Sequence, residues 1–238
     1  MTLQSDVPAA PAELAPARRA PDPSNFTQKR RLRRHPVRAY GHVGKRALDI
    51  AIVLAAAPVA LMIVAVFAPL IMLDGGSPFF SQPRVGRRGR VFRMLKLRSM
   101  VKHAEARLDA CLAADPELRR EWDETQKLRH DPRITRIGGF MRKMSIDELP
   151  QLWNVLRGDM SIVGPRPMMP SQRALYPGTV YYALRPGITG LWQIQARNAS
   201  SFADRGEYDA RYFRNLSLGT DLRIILETVR VVLRGTGC

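Results

Sequence analysis

The sequence predicts an α-rich α+β fold built onto a membrane-embedded helical segment, and three observations carry that expectation. An uncharged apolar run extends from Ile50 to Leu73, longer than the roughly 20 helical residues that cross a bilayer. Val91 to Leu97 alternates as a strand does, after a short extended start at Phe79-Phe80. Much of the remaining chain reads as short helices separated by Pro- and Gly-rich stretches.

Residues 1–28 are rich in Ala and Pro, as in Pro8-Ala9-Ala10-Pro11, and are predicted to be disordered. A basic cluster follows: Lys29, Arg30, Arg31, Arg33, Arg34 and Arg38. Such a cluster suits nucleic acid or the anionic surface of a membrane, and the apolar run close behind it favours the membrane. The whole chain shares this bias, with 38 Lys+Arg against 21 Asp+Glu and a formal net charge of +17. The excess points to anionic partners and says little about fold. The two cysteines, Cys111 and Cys238, make neither a disulfide framework nor a zinc spacing, so a reducing compartment is expected. Residues 1–44 are thus expected to be a disordered, basic N-terminal segment.

Lys45 and Arg46 precede the apolar run, and Arg84, Arg87, Arg88, Arg90, Arg93, Lys96 and Arg98 follow it. Positive flanks stay on the cytoplasmic side of a membrane, so a straight span would have to export one of them. Pro58 and Pro69 lie inside the run and each removes a helical hydrogen bond. These residues favour a re-entrant helical hairpin over 45–74, entering and leaving by one face. A plain transmembrane anchor with proline kinks fits them about equally well.

Residues 75–238 are expected to form a catalytic domain lying on the membrane. Residues 101–129 read as one helical stretch, with Leu108, Leu118, Trp122 and Leu128 at loosely helical spacing, broken by Asp131-Pro132. Residues 146–157 read as a short helix stopped by Gly158, and 164–190 as loops around a site. Asp221 to Leu233 is amphipathic, with Leu222, Ile225, Leu226, Val229 and Leu233 on one side. That side suits packing on the domain or a place in the membrane interface.

Asp147 and Glu148 are the residues best suited to chemistry. Ser145-Ile146-Asp147-Glu148 fits a capping box, with Ser145 as N-cap and Glu148 reaching back. The same pair can divide labour: one carboxylate attacks phosphorus while the other holds a metal or moves protons. Phosphate substrates need counter-charges, for which Lys96, Arg98, Arg142 and Arg166 are candidates. Arg166 is held between Pro165 and Pro167, which limits the entropy lost when it binds an anion. Each basic residue taken singly reads more readily as a solvated surface charge.

Several longer motifs run together: Lys45-Arg46 with Asp49; Pro78-Phe79-Phe80 leading to Gln82, Arg84, Gly86 and Gly89; Lys96-Leu97-Arg98-Ser99-Met100; Asp131-Pro132-Arg133-Ile134-Thr135. They continue in Ser145 to Leu152, Gly158-Asp159-Met160-Ser161, Val163-Gly164-Pro165-Arg166-Pro167, Arg185 to Gln193, and Arg197-Asn198. In this order the chain, from Lys45 onward, resembles the bacterial sugar transferase family, the monotopic phosphoglycosyl transferases. The resemblance implies transfer of a sugar-1-phosphate from a UDP-sugar to undecaprenyl phosphate with release of UMP. It implies Asp147 as nucleophile, Glu148 as its partner in holding Mg²⁺ or moving a proton, and a phosphosugar ester on Asp147. Lys96, Arg98, Arg142, Arg166, Arg197 and Asn198 match positions expected near substrate phosphate or lipid headgroup. Lys45, Arg46, Asp49 and Pro58 match the hairpin.

The central region from Asp115-Pro116 to Lys127 is similar to members that start exopolysaccharide synthesis, often with galactose- or glucose-1-phosphate. The chain resembles the short form of the family, which lacks additional transmembrane helices. It departs in placing Ala57-Pro58 about one turn before the family's hairpin break, which aligns with Leu61-Met62, and in having Ala196 where Gly often precedes Arg-Asn. The implied location is the bacterial inner membrane, with the domain facing the cytoplasm. Lipids, downstream glycosyltransferases and a second copy of the chain are the further partners expected, and nucleic acid is not.

Overall fold

The computed structural model describes residues 40–73, 75–125, 128, 131–196 and 202–233. The expected disorder over 1–28, the basic cluster at 29–38, and Arg197 and Asn198 lie outside the described residues.

After a π-helical turn at Tyr40–Gly44, the apolar run forms one helix, α1 (Lys45–Met72). It is the one described helix long and apolar enough to cross a membrane. Helical structure continues through Pro58 and Pro69, so the expected hairpin is not two helices joined by a turn. Both ends of α1 are held by the same globular body. At the start, Lys45 Nζ lies 2.7 Å from Asp221 Oδ2, and Asp49 Oδ1 accepts hydrogen bonds from Ser161 Oγ and the Ile162 amide, each at 2.9 Å. Arg46 donates to the carbonyls of Val155 and Leu156. At the other end Ile71 packs with Leu97 and Met141, Phe67 stacks on Phe140, and Arg98 Nη2 donates to the Ile71 carbonyl at 2.9 Å. The middle keeps its apolar side chains outward: Leu54, Val59, Leu61, Met62 and Val66 are all exposed.

Two small sheets organise the rest. β1 (Phe79–Val85) and β2 (Val91–Leu97) form an antiparallel hairpin in the register Phe79 to Leu97 and Val85 to Val91. β3 (Ser161–Val163) and β4 (Gly187–Thr189) pair in parallel. A Cβ on Gly164 or on Gly187 would collide with the backbone of the other segment, so only glycine lets these two chains approach so closely. That contact sets the start of the loop carrying Arg166.

The expected helix over 101–129 is instead α2 (Ala104–Ala114) and α3 (Pro116–Thr125). A residue before proline is pushed out of the helical region, and Asp115 takes φ −130° and ψ 107°. Its Oδ1 then accepts from the amides of Glu117 and Leu118, capping α3. Leu108, Leu112 and Leu128 form a small separate core with Leu118 and Trp122 against them.

The chain then forms α4 (Arg136–Lys143), a 3₁₀ turn at Ile146–Glu148, and α5 (Gln151–Arg157), which Gly158 ends at φ 85°. Beyond a further 3₁₀ turn at Pro170–Leu175 come α6 (Val180–Ala183), α7 (Leu191–Gln195), α8 (Arg205–Arg214) and α9 (Leu218–Leu233). The expected loops at 164–190 therefore contain short regular elements. Val155, Met160, Val163, Tyr212 and Ile224 are the centre of the main core, which Val53 of α1 joins. α9 packs on the domain through Ile224, which is not among the residues of the expected apolar side, whereas Leu222, Leu226 and Val229 of that side stay exposed.

Candidate active site

The 3₁₀ turn carrying Asp147 and Glu148 lies against β2. The expected capping box is absent: Ser145 has φ 56° and makes no side-chain cap, while its carbonyl accepts the Glu148 amide at 3.2 Å. Left-handed backbone turns the Ser145 side chain away from the amides it would have to reach. The Glu148 side chain is thereby left for Lys96. The Lys96 ammonium sits 2.8 Å from Glu148 Oε1 and 3.4 Å from Asp147 Oδ2.

Asn154 fixes that meeting. It is 1% exposed, its Oδ1 accepts the Leu95 amide and its Nδ2 donates to the Arg93 carbonyl, each at 2.9 Å. One side chain on α5 thus satisfies two backbone groups of β2 and holds Lys96 over the carboxylates.

The two acids are electrostatically different. Burial lifts Asp147 above the usual carboxylate range; Lys96 opposes this and the neighbouring Glu148 charge adds to it. Burial pushes Glu148 upward too, but the charges of Lys96 and then Arg166 outweigh it and hold Glu148 below its usual range. Asp147 is therefore the more basic of the pair and Glu148 the more firmly ionised.

A pocket opens beside them, lined by Arg84, Lys96, Glu148, Gln151, Arg166 and Arg205 among others. Arg205 comes from α8, with its guanidinium carbon 4.2 Å from the centre of the Trp192 ring and 4.4 Å from that of Phe202. Arg166 approaches the same Trp192 ring at 5.9 Å. Arg84 donates to Gln82 Oε1 at 2.6 Å. The Nε atoms of Arg84 and Arg205 are buried with no hydrogen-bond partner among the described residues. Burial and then the charge of Arg166 bring both guanidinium pKa values down to about 10. Like charges crowded out of water with so little compensation fit a multiply charged anion.

The expected phosphate residues are not all brought together. Lys96 and Arg166 are in the pocket. The charge of Arg142 acts on Asp147, and its Nη1 is buried with no partner among the described residues. Arg98 goes elsewhere: its Nε donates to the Ser77 carbonyl at 2.7 Å and its Nη atoms to the Ile71 and Met100 carbonyls. It closes the exit of α1, one residue past the strand end that carries Lys96. Sequence alone does not single out Arg84 and Arg205 as binding residues. Arg84 stands inside a family motif, and Arg205 has no local signal.

Magnesium fits the donor set by chemistry. It is commonly held by one or two carboxylates with substrate phosphate oxygens and water, as Asp147 and Glu148 would allow. Among the described residues no cluster of three acidic, histidine or cysteine ligands exists.

A carboxylate pair thus lies beside a cluster of arginines on a body that holds both ends of an apolar helix. The model for the bacterial sugar transferase family matches residues 40–235, and the chain belongs to that family. It is 46% identical to a UDP-galactose-lipid carrier transferase of Erwinia amylovora over 81% of this chain and 41% of the relative. It is 44% identical to an undecaprenyl-phosphate galactose phosphotransferase of Salmonella typhimurium, over 75% of this chain and 39% of the relative. With the exopolysaccharide production protein ExoY of Rhizobium meliloti it shares 41% identity over 84% of this chain and 90% of the relative. The chain thus spans about two fifths of the first two relatives and nearly all of the third.

Proposed function

We propose that this protein transfers a hexose-1-phosphate, galactose or glucose, from a UDP-sugar to undecaprenyl phosphate and releases UMP. The observation that carries the reading is buried Asp147 bridged by Lys96 to Glu148, where Lys96 and Glu148 line a pocket together with Arg84, Arg166 and Arg205. An Asp147 oxygen attacks the β-phosphorus of the donor. The bond from that phosphorus to the oxygen bridging the two phosphates breaks, and UMP leaves with the bridging oxygen. A phosphate oxygen of the acceptor then attacks the same phosphorus and frees the Asp147 carboxylate. The arginines hold the diphosphate and balance charge as it shifts toward the leaving phosphate. Glu148, firmly ionised, joins Asp147 in holding Mg²⁺, which when bound polarises the phosphoryl oxygens.

The acceptor implies the inner membrane with the site facing the cytoplasm. Re-entrant insertion of α1 is supported by the anchoring of both its ends on one body, while the apolar middle is left for lipid. Similarity to ExoY supports a place at the start of exopolysaccharide synthesis. The test is UMP release by the purified protein in nanodiscs with Mg²⁺, undecaprenyl phosphate and a panel of UDP-sugars. Release with one donor, absent in Asp147→Asn, is expected. Release unaffected by that substitution contradicts the mechanism, and no release with any donor contradicts the activity.

A further inference from the structure

Lys96 is already engaged with the groups assigned to the metal. Its ammonium is 2.8 Å from Glu148 Oε1 and 3.4 Å from Asp147 Oδ2, so one cation bridges both carboxylates. The strand leaves its base little freedom, because Asn154 clamps the adjacent Leu95 and the Arg93 carbonyl. The long stem is not locked in the same way, and the Lys96 side chain keeps 24% of its surface exposed. It can pivot from the carboxylates toward the pocket, which it also lines. Magnesium takes oxygen ligands at about 2.1 Å, so an ion on the same carboxylate edges would share them with an ammonium at contact distance. Two cations cannot share that space without strong repulsion.

Resting on the phosphotransfer reading above, we propose that Lys96 is an internal counter-cation that the divalent metal displaces. Before the metal binds, the Lys96 ammonium supplies the positive charge that bridges the two adjacent carboxylates. When the metal takes over that charge, the ammonium is released toward the arginine-lined pocket, where a donor phosphate oxygen is its next partner. Metal loading and the readiness of Lys96 to meet substrate are then one event. A lysine serving only to bind phosphate would not resist metal binding, whereas the counter-cation does.

The experiment is Mn²⁺ binding, read by electron paramagnetic resonance, to the full chain in zwitterionic nanodiscs without substrate. An Asp147→Asn/Glu148→Gln protein supplies the background. Lys96→Met keeps the apolar stem and removes the charge, and is expected to bind Mn²⁺ at least tenfold more tightly than wild type. Lys96→Arg keeps a cation and should bind no more tightly than wild type. Equal or weaker binding by Lys96→Met, when wild type binds, overturns the displacement. Absence of carboxylate-dependent Mn²⁺ binding from every variant overturns the metal assignment, and the displacement with it, while leaving UMP release as a separate question. A second measurement needs no variant: modification of Lys96 by an amine-reactive reagent, followed by peptide mass spectrometry. Modification should rise several-fold when Mg²⁺ is added, and an unchanged or lower yield contradicts release of the ammonium.

Discussion

Asn154 Oδ1 accepts the backbone amide of Leu95 at 2.9 Å, tying α5 to β2 next to the residue that meets both acids. Its Nδ2 bond to the Arg93 carbonyl makes it a side-chain substitute for a neighbouring strand. Asn154→Ala leaves two part-buried backbone groups without these partners, each worth about 1–3 kcal/mol, so a loss of about 2–6 kcal/mol is expected. Denaturation in detergent would measure it. Activity should fall further than stability alone explains, because Lys96 loses its register. A melting temperature within 2 °C or so of wild type would contradict this role.

The buried pair Lys45–Asp221 holds the start of α1 to α9, and Tyr40 and Tyr212 also donate to Asp221, at 2.6 and 2.7 Å. Removing one partner strands a buried charge, so Lys45→Met should destabilise by about 3–5 kcal/mol. Lys45→Met combined with Asp221→Leu should recover part of that loss. The double variant being worse than the sum of the singles would contradict the pairing.

Asp209 gives the fold a pH dependence of its own. Burial lifts its carboxyl to about 7, although Tyr176 donates to it at 2.8 Å and Arg205 lies near. The neutral form is the one favoured in the folded state. Its contribution is fully present below the ordinary value near 4 and is lost as pH rises through about 7. Wild type should therefore lose stability between about pH 4 and 7 relative to Asp209→Asn. The loss is a few kcal/mol at most, because each tenfold change in a protonation equilibrium is worth about 1.4 kcal/mol. Parallel stability curves for the two proteins would contradict the assignment.

Arg205 tests the pocket. A guanidinium stacked against Trp192 presents a fixed fork that an ammonium does not reproduce. Arg205→Lys and Arg205→Ala should both raise KM for the donor by about tenfold or more, the worth of one charge-assisted hydrogen bond, with less change for the acceptor. A larger effect on the acceptor would move Arg205 out of the donor site.

The raised Asp147 carboxyl must be ionised to attack. In the metal-free protein the Asp147 carboxyl, followed by carboxyl 13C NMR against Asp147→Asn, should therefore titrate with its midpoint above the ordinary aspartate value. A midpoint at or below that value would contradict the burial assigned to the nucleophile.

Much of the site was legible because its signals are local. Asp147 and Glu148 are adjacent, Lys96 is on a strand with clear alternation, and Gly158 stops α5 as a left-handed cap should. Arg205 was not legible, because it reaches the pocket through the packing of α8 beside Trp192, far from the motif in sequence. Arg98 misled for the same reason: whether an arginine meets substrate or carbonyl oxygens depends on where the end of α1 lies. Ser145 fits a capping pattern by residue type, yet its left-handed backbone rules out the cap. The split at Asp115 was readable from the proline after it, and the helical periodicity on both sides obscured it.

The most direct test of the central claim is intact-protein mass spectrometry after mixing with the UDP-sugar and Mg²⁺ in the absence of undecaprenyl phosphate. The expected result is a mass increase of one hexose phosphate, located on the peptide containing Asp147, absent in Asp147→Asn and discharged when the acceptor is added. A stable adduct on another residue, or full turnover with no adduct on Asp147 under any quench, would contradict it.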